Sequence, residues 1–143
     1  MHDASLTPNL AARSGGAAEL AAMLRASRAD TLATFAAYEA ALPGLAVPLR
    51  AELNPPLWEL GHIGWFQEFW IARNLQRSRG DACDPTHPRL PSVLTNADDW
   101  YNSSTVPHDS RWTLALPDLQ ETRQYLVQTL ETTLDLLHGS AED

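Results

Sequence analysis

His62 has the most unusual surroundings of any histidine in this sequence, because aromatic residues recur one helical turn away from it. If the run PLWELGHIGWFQEFWIARNLQR is helical, the face around His62 carries Trp58, Glu59, Trp65, Phe66, Phe69 and Arg73. A buried imidazole needs a hydrogen-bond partner, since an unpaired buried polar group costs about 1–3 kcal/mol. Taken alone, the residues favour a core histidine bonded to a carboxylate or carbonyl over a metal ligand. No second His or carboxylate follows at HExxH or HxxxH spacing.

His108 and Arg111 form a second candidate group in the segment PHDSRW. Two basic side chains next to several aromatic residues could bind an anionic ligand. The alternative is a loop that is held by its aromatic residues and by a surface pair between Arg111 and Asp109. We predict no catalytic residue in this chain. Cys83 is a lone thiol without an adjacent base, and we interpret Glu68 as a solvated or helix-pairing charge.

The composition excludes several classes of function. The chain has 143 residues with 10 basic and 18 acidic side chains, which gives a net charge of −8 and disfavours binding to nucleic acids or anionic membranes. All basic residues are arginine, so a Schiff-base lysine and a Walker-A loop are both excluded. The single cysteine excludes an internal disulfide and a multi-cysteine zinc site. There is no signal-peptide pattern and no apolar run of about 18–20 residues, so we expect a cytoplasmic location.

Three long helices must position these side chains. The apolar spacing and the Pro and Gly residues predict a helix from Ser14 or Gly16 to about Leu42, a second from Pro56 to about Arg77, and a third from Pro117 to His138-Gly139. Residues 1–16 are expected to be a flexible leader, and residues 78–116 a loop longer than loops without function usually are. No strand is predicted, and helices of this length favour an antiparallel, all-α bundle.

The second helix is apolar nearly all round, which predicts a neighbour on every side. Three helices cannot cover it completely. We therefore expect a missing neighbour, either a fourth helix or another chain.

The run around His62 also resembles the first iron-ligand helix of the ergothioneine, ovothiol and selenoneine synthases. The matching positions are Asn54, Pro55, Trp58, Leu60, His62, Ile63, Trp65, Phe66 and Glu68. Arg28-x-x-Thr31 and the segment DWYNSSTVPHDSRW before a Pro-led helix are also similar to this family. Within the family, WYNSSTVPHDSRW most resembles the selenoneine synthases. The resemblance covers about residues 20–138.

This resemblance implies a DinB-like four-helix bundle that is fused to a C-terminal formylglycine-generating-type domain. Such enzymes are non-haem iron(II) oxygenases, which use O₂ to join sulfur or selenium to the imidazole of trimethylated histidine. Three histidines hold their iron, one on the second helix and two in an HxxxHxE run on the fourth. The resemblance makes His62 the first iron ligand. It places Arg111, with His108 nearby, among the residues that bind the chalcogen donor.

The sequence departs from this family because it stops at Asp143, before the fourth helix and the two further histidines. We therefore expect residues 17–143 to be a partial bundle, from the N-terminal part of a longer enzyme, without turnover on its own. The expected partners are trimethylated histidine, the chalcogen donor and O₂. The second helix would be covered by the rest of the same enzyme or by a second copy.

Two alternatives remain open at this point. One is a DinB-like metal-dependent thiol transferase, which shares the bundle and a three-histidine site. The other is a non-catalytic interaction module that binds a partner helix through the apolar second helix.

Overall fold

Four α-helices organise the part of the chain that the structure describes. The computed structural model describes the backbone of residues 12–142 and the side chains of residues 12–139. The helices are α1 (Ala17–Ala41), α2 (Pro56–Trp70), α3 (Ala97–Tyr101) and α4 (Leu119–Glu142). Short 3₁₀ turns lie at Pro43–Leu45, Arg77–Ala82 and His108–Trp112. These residues contain no strand, which confirms the all-α prediction.

The leader predicted at residues 1–16 lies mostly outside the described residues, which begin at residue 12. Residues 12–14 are helical, and Gly16 precedes α1 with extended backbone angles. The prediction of a flexible segment at residues 1–11 therefore stays a prediction.

Prolines set two of the helix boundaries where the sequence predicts them. Pro43 follows α1, and Gly44 then takes a φ of 65°, a left-handed conformation that glycine adopts at little cost. Pro56 occupies the first turn of α2, where its missing N–H has no partner to lose.

The second helix is shorter than the sequence predicts, because α2 ends at Trp70 instead of Arg77. The backbone N–H of Arg73 bonds to the Glu68 carbonyl at 2.9 Å, one residue further back than in an α-helix. The Arg73 side chain then turns away to the Leu90 carbonyl (2.6 Å) and the Asp98 carboxylate (2.7 and 2.8 Å). The third predicted helix, α4 in the structure, extends further than the sequence predicts. It continues through Gly139 to Glu142.

The three long helices do not simply alternate in direction. Arg28 of α1 donates to both the Gln67 side chain and the Leu126 carbonyl, so α1 contacts both α2 and α4. Leu126 packs at Gly64, and Thr133 accepts from Gln67, so α2 and α4 advance in the same direction.

Helix α1 runs opposite to both: Leu20 and Leu24 near its start share a cavity with Leu136 and Leu137 near the end of α4. The strict alternation of an antiparallel bundle is therefore wrong for the α2–α4 pair. Residues 71–118 lead back along the bundle and allow this arrangement.

The core forms where α1, α2, α3 and α4 meet. Its buried members are Phe35, Trp58, Leu60, Trp65, Ala97, Tyr101, Tyr125 and Leu126. Desolvation by burial lowers the pKa of Arg28, whose hydrogen-bond acceptors are neutral oxygens.

In the described part of the chain, no helix combines the length and the hydropathy that crossing a bilayer requires.

Candidate functional site

His62 lies half-buried on α2 between two tryptophans of the same helix. Its ring stacks on Trp58 with centroids 4.9 Å apart and an interplanar angle of 10°, and it lies 5.7 Å from the Trp65 ring. Its Nδ1 atom is 2.8 Å from the carbonyl oxygen of Tyr101. The spacing of aromatic residues along α2 therefore fixes the plane of the imidazole, and α3 fixes its rotation.

The Tyr101 contact also determines which ring nitrogen of His62 carries the proton. A carbonyl oxygen only accepts, so Nδ1 must donate and the neutral ring keeps its lone pair on Nε2. Nε2 makes no hydrogen bond with any described residue. The Nδ1 hydrogen bond is expected both for a core histidine and for a metal ligand. Only a metal ligand also needs a free lone pair on Nε2.

Helix α3 is attached to this face of α2 by a row of three hydrogen bonds from aromatic ring N–H groups. They join Trp58 to the Trp100 carbonyl (2.6 Å), His62 to the Tyr101 carbonyl (2.8 Å) and Trp65 to the Asp98 carboxylate (2.7 Å). Because three successive turns of α2 supply the donors, the whole of α3 is held in register with His62.

The Cζ atom of Arg111 lies 4.0 Å from the centre of the Trp58 ring, the indole that also stacks on His62. It donates to the Asn54 side chain at 3.0 Å and to the Val106 carbonyl at 3.1 Å. Within the described residues it forms no salt bridge, because Asp109 pairs with His108 instead. The alternative of an Arg111–Asp109 surface pair is therefore wrong. Burial lowers the pKa of Arg111, as expected when no carboxylate compensates its charge.

His62 and Arg111 line one cavity of about 270 Å³. The other residues that line it are Asn54, Trp58, Glu59, Ile63 and Ser103. An imidazole, a guanidinium and a carboxylate thus share a space near the lower end of the size range for small-molecule sites. Asn54, Glu59 and Ser103 were not predicted as site residues, although the sequence placed Glu59 on the His62 face and Asn54 in the family motif. Their approach to Arg111 follows from the fold of residues 102–112.

His108 does not line this cavity, although it lies close behind its wall. Its Nε2 is 2.6 Å from the Leu53 carbonyl, and its Nδ1 is 2.9 Å from the Asp109 carboxylate. Both contacts favour the protonated ring and raise the pKa of His108, with the Leu53 carbonyl as the larger cause. With both nitrogens engaged, His108 attaches its loop to the segment before Asn54. Its role in binding substrate stays a prediction.

Glu68 shows what the sequence did not indicate. It is 3% exposed and accepts hydrogen bonds from the Tyr125 hydroxyl (2.7 Å) and the Val93 backbone N–H (3.0 Å). It therefore joins α2, α4 and the segment before α3, and the interpretation of a solvated charge is wrong. Two signals in the sequence were its position one turn after Trp65 on a nearly apolar helix and its match to the family motif.

The cavity offers one nitrogen atom, Nε2 of His62, that could serve as a single metal ligand. No group of three or more His, Cys, Asp or Glu side chains within the described residues could hold a metal ion. An imidazole whose Nδ1 donates to a carbonyl offers the Nε2 lone pair, which is the kind of nitrogen donor that iron accepts. The residues described here therefore fit iron as one ligand, and further ligands would have to come from outside them.

One face of α2 beside this cavity remains open. The Phe66 side chain is 54% exposed, and Ile63 and Trp70 are half-buried. The sequence predicted that α2 lacks a neighbour, and the exposed Phe66 ring on this face lies 6.2 Å from the His62 ring.

Comparisons with known proteins give a family and a relative. Residues 23–143 match the family model described as the DinB superfamily. Over 127 residues the chain is 32% identical to hercynine oxygenase from Mycolicibacterium thermoresistibile. That match covers 88% of this chain and 25% of the relative, so the chain spans about a quarter of the length of the curated relative it matches.

Proposed function

This chain belongs to the DinB superfamily, and we propose that it is the helical, N-terminal part of a non-haem iron(II) oxygenase that joins sulfur or selenium to the imidazole of trimethylated histidine. The observation that carries the proposal is the state of His62. Its Nδ1 proton is engaged by Tyr101, and its Nε2 lone pair is left for a ligand bond beside the cavity that Arg111 also lines. The similarity to hercynine oxygenase supports a histidine-derived substrate.

In this proposal His62 holds iron(II) through Nε2, and two histidines outside residues 1–143 complete the ligand set. The bound iron would supply the activation of O₂. The Tyr101 carbonyl keeps the imidazole in the tautomer that a ligand needs. Trp58 and Trp65 keep the ring from rotating out of this position.

Arg111 binds the chalcogen donor in this proposal. Its guanidinium lies over the Trp58 ring, and its hydrogen-bond partners are neutral oxygens. An anionic donor would therefore meet a cation whose charge is not already compensated. His108 does not bind the donor directly in this proposal. It connects residues 53–54 with residues 108–111, which include two residues that line the cavity.

The open face of α2 is covered by the rest of the enzyme in this proposal. Phe66 and its half-buried neighbours are apolar residues directly beside the cavity. Burial of an aromatic side chain there would also exclude water from the space around His62. We expect the 143-residue chain alone to show no turnover, because a single imidazole cannot hold iron with the required ligands.

The experiment that tests this function is a chimera in which this chain replaces the matched quarter of the hercynine oxygenase relative. Iron(II), trimethylated histidine and a thiol or selenol donor are added without oxygen, and O₂ is then admitted. We expect about one iron per chain and a product whose mass shows the added sulfur or selenium. Comparing the two donors decides which element is transferred.

The matched variants of the chimera are His62→Ala and His87→Ala, since His87 lies in the loop after the Arg77–Ala82 turn and does not line the cavity. Iron loading should be lost in the first and retained in the second. Unchanged iron content in His62→Ala would exclude the proposed ligand. Turnover by the unextended 143-residue chain would contradict its assignment as an incomplete site.

A further inference from the structure

We infer that Gly61 is a positioning residue: the absence of its side chain admits the Tyr101 ring against α2, and this ring sets the backbone carbonyl that accepts the His62 Nδ1 proton. The importance of this arrangement for metal binding rests on the proposed function. The arrangement itself is a property of the metal-free chain, so it can be tested separately.

Gly61 lies in the middle of α2, where glycine is less favourable than alanine. A Cβ atom at this position would lie 2.2 Å from Cζ, 2.3 Å from Cε1 and 2.5 Å from the hydroxyl oxygen of Tyr101. These distances are well below any normal carbon contact. The close approach of the Tyr101 ring therefore requires glycine at position 61.

The Tyr101 ring has no free space into which it could move. Tyr101 is fully buried, its ring stacks with Tyr125 at a centroid distance of 6.4 Å and an angle of 14°, and its edge meets Trp100 at 6.0 Å. Adding a methyl group to a packed core forces side chains off their rotamers or shifts the backbone. The displacement would therefore reach the backbone of Tyr101, which carries the carbonyl in question.

A shift of this carbonyl would act directly on His62, because the Nδ1–oxygen distance is 2.8 Å. Without that acceptor the neutral imidazole exchanges between its two tautomers. In one of them the proton lies on Nε2, and that nitrogen then has no lone pair to give to a metal. Gly61 thus acts on His62 through Tyr101 without contacting a substrate.

Nitrogen-15 NMR of the His62 ring, recorded at alkaline pH in the metal-free 143-residue chain, tests the inference. In the unmodified chain we expect a protonated Nδ1 and an unprotonated Nε2. In Gly61→Ala the two nitrogen shifts should move towards each other, as both tautomers become populated. An unmodified chain with its proton on Nε2, or a folded Gly61→Ala that keeps the original shifts, would overturn the inference.

Gly64→Ala is the matched control, because Gly64 is also buried on α2 one turn away. Its added Cβ would lie 3.0 Å from a Leu126 methyl group and 3.3 Å from the Tyr125 ring, contacts that small movements can relieve. Its His62 shifts should equal those of the unmodified chain. The same tautomer mixing in Gly64→Ala would show a general effect of helix substitution and would overturn the role of Gly61.

Tyr101→Ala keeps the inference testable if Gly61→Ala does not fold. It removes the ring but keeps the carbonyl, so it should by itself mix the His62 tautomers. Adding Gly61→Ala to this background should not change the spectrum further, and the unfolding midpoint should stay the same or rise, because alanine is the better helix former. An unaltered His62 spectrum in Tyr101→Ala would overturn the inference. A chimera that binds no iron would contradict the proposed function and leave these results unaffected.

Discussion

The guanidinium of Arg111 lies 4.0 Å from the centre of the Trp58 ring, and Trp58 also stacks on His62. One indole therefore contacts both the candidate donor-binding residue and the candidate metal ligand. The indole itself is fixed by its hydrogen bond to the Trp100 carbonyl. Replacing the guanidinium at position 111 by a group of another shape should therefore alter both ligand binding in the cavity and the free energy of unfolding of the chain.

Arg111→Lys should destabilise the chain by about 1–2 kcal/mol, although it keeps the charge. A lysine ammonium is a compact group that cannot contact the Trp58 ring and also donate to both Asn54 and Val106 as the planar guanidinium does. Urea unfolding measures the loss. Arg123→Lys is the control, because Arg123 forms an exposed pair with Glu39, and it should change stability by less than about 0.5 kcal/mol. Equal losses in the two variants would contradict a special contribution from the stacked arginine.

Arg111→Ala in the active chimera should raise the KM of the chalcogen donor more than that of trimethylated histidine. The reason is that Arg111 supplies an uncompensated positive charge within the cavity, which an anionic donor would use. Steady-state kinetics with each substrate varied in turn measures both constants. A larger increase for trimethylated histidine would assign Arg111 to the other substrate.

Stability should depend on pH through His108. Its folded-state pKa is raised above the ordinary value of 6.5 by the Leu53 carbonyl and the Asp109 carboxylate. Protonation is therefore favoured in the folded chain. The resulting stabilisation is fully present below pH 6.5 and is lost as the pH rises through the raised pKa.

Urea midpoints of the unmodified chain and of His108→Gln, measured across this pH range, test the dependence. The difference between them should be largest at acidic pH and should shrink on the alkaline side. Asp109→Asn removes the smaller of the two causes and should move the transition part of the way towards 6.5. A difference that grows with pH would contradict the assigned direction.

The sequence predicts much of the fold because its helix signals are local. The start of α2 follows from Pro55 and Pro56, and the end of α1 follows from Pro43 and Gly44. The end of α2 is determined by residues that are distant in the sequence. The apolar pattern continues beyond Trp70, but Arg73 bonds to Leu90 and Asp98 instead of continuing the helix.

The candidate site is predicted only in part for the same reason. His62 stands out because its aromatic neighbours are one helical turn away. Its acceptor Tyr101 is 39 residues further along the chain, and Asn54 and Arg111 are 57 residues apart. Periodicity carries no information about such pairs. The buried Glu68 was misinterpreted because its donors come from Tyr125 and from residues 92–93.

Asp98→Asn should destabilise the chain by about 1–2 kcal/mol and loosen α3 from α2. The Asp98 carboxylate accepts from both Arg73 terminal nitrogens and from the Trp65 indole, and the Arg73 bond is the main cause that lowers the pKa of Asp98. Its contribution is present above the ordinary value of 3.8 and is lost as the pH falls through the lowered pKa. Asp99→Asn is the matched control, because Asp99 is exposed like Asp98 but accepts no hydrogen bond from Arg73 or Trp65, so it should change stability by less than about 0.5 kcal/mol.

Hydrogen exchange of the α3 amides gives the second measurement for Asp98→Asn. Local opening should become easier in this variant and remain as in the unmodified chain in Asp99→Asn. A loss of stability with unchanged exchange in α3 would mean that the Arg73–Asp98 pair holds the end of α2 and not α3.

The stacked tyrosines Tyr101 and Tyr125 should respond differently to loss of the hydroxyl group. Both are buried, and burial raises the pKa of each, that of Tyr101 to about 12. The Tyr125 hydroxyl donates to Glu68 at 2.7 Å. The Tyr101 hydroxyl lies near Thr122 but has no hydrogen-bond partner of good geometry within the described residues.

Tyr125→Phe should therefore cost about 1–3 kcal/mol, because it leaves the buried Glu68 carboxylate without one of its donors. Tyr101→Phe should leave the free energy of unfolding unchanged or raise it by up to about 1 kcal/mol, since it removes a buried hydroxyl group without a hydrogen-bond partner among the described residues. Paired urea titrations of the two variants measure the difference, with each acting as the other's control. Because the two rings are matched in burial and packing, equal losses would mean that ring contacts, and not the Glu68 hydrogen bond, determine the contribution of Tyr125.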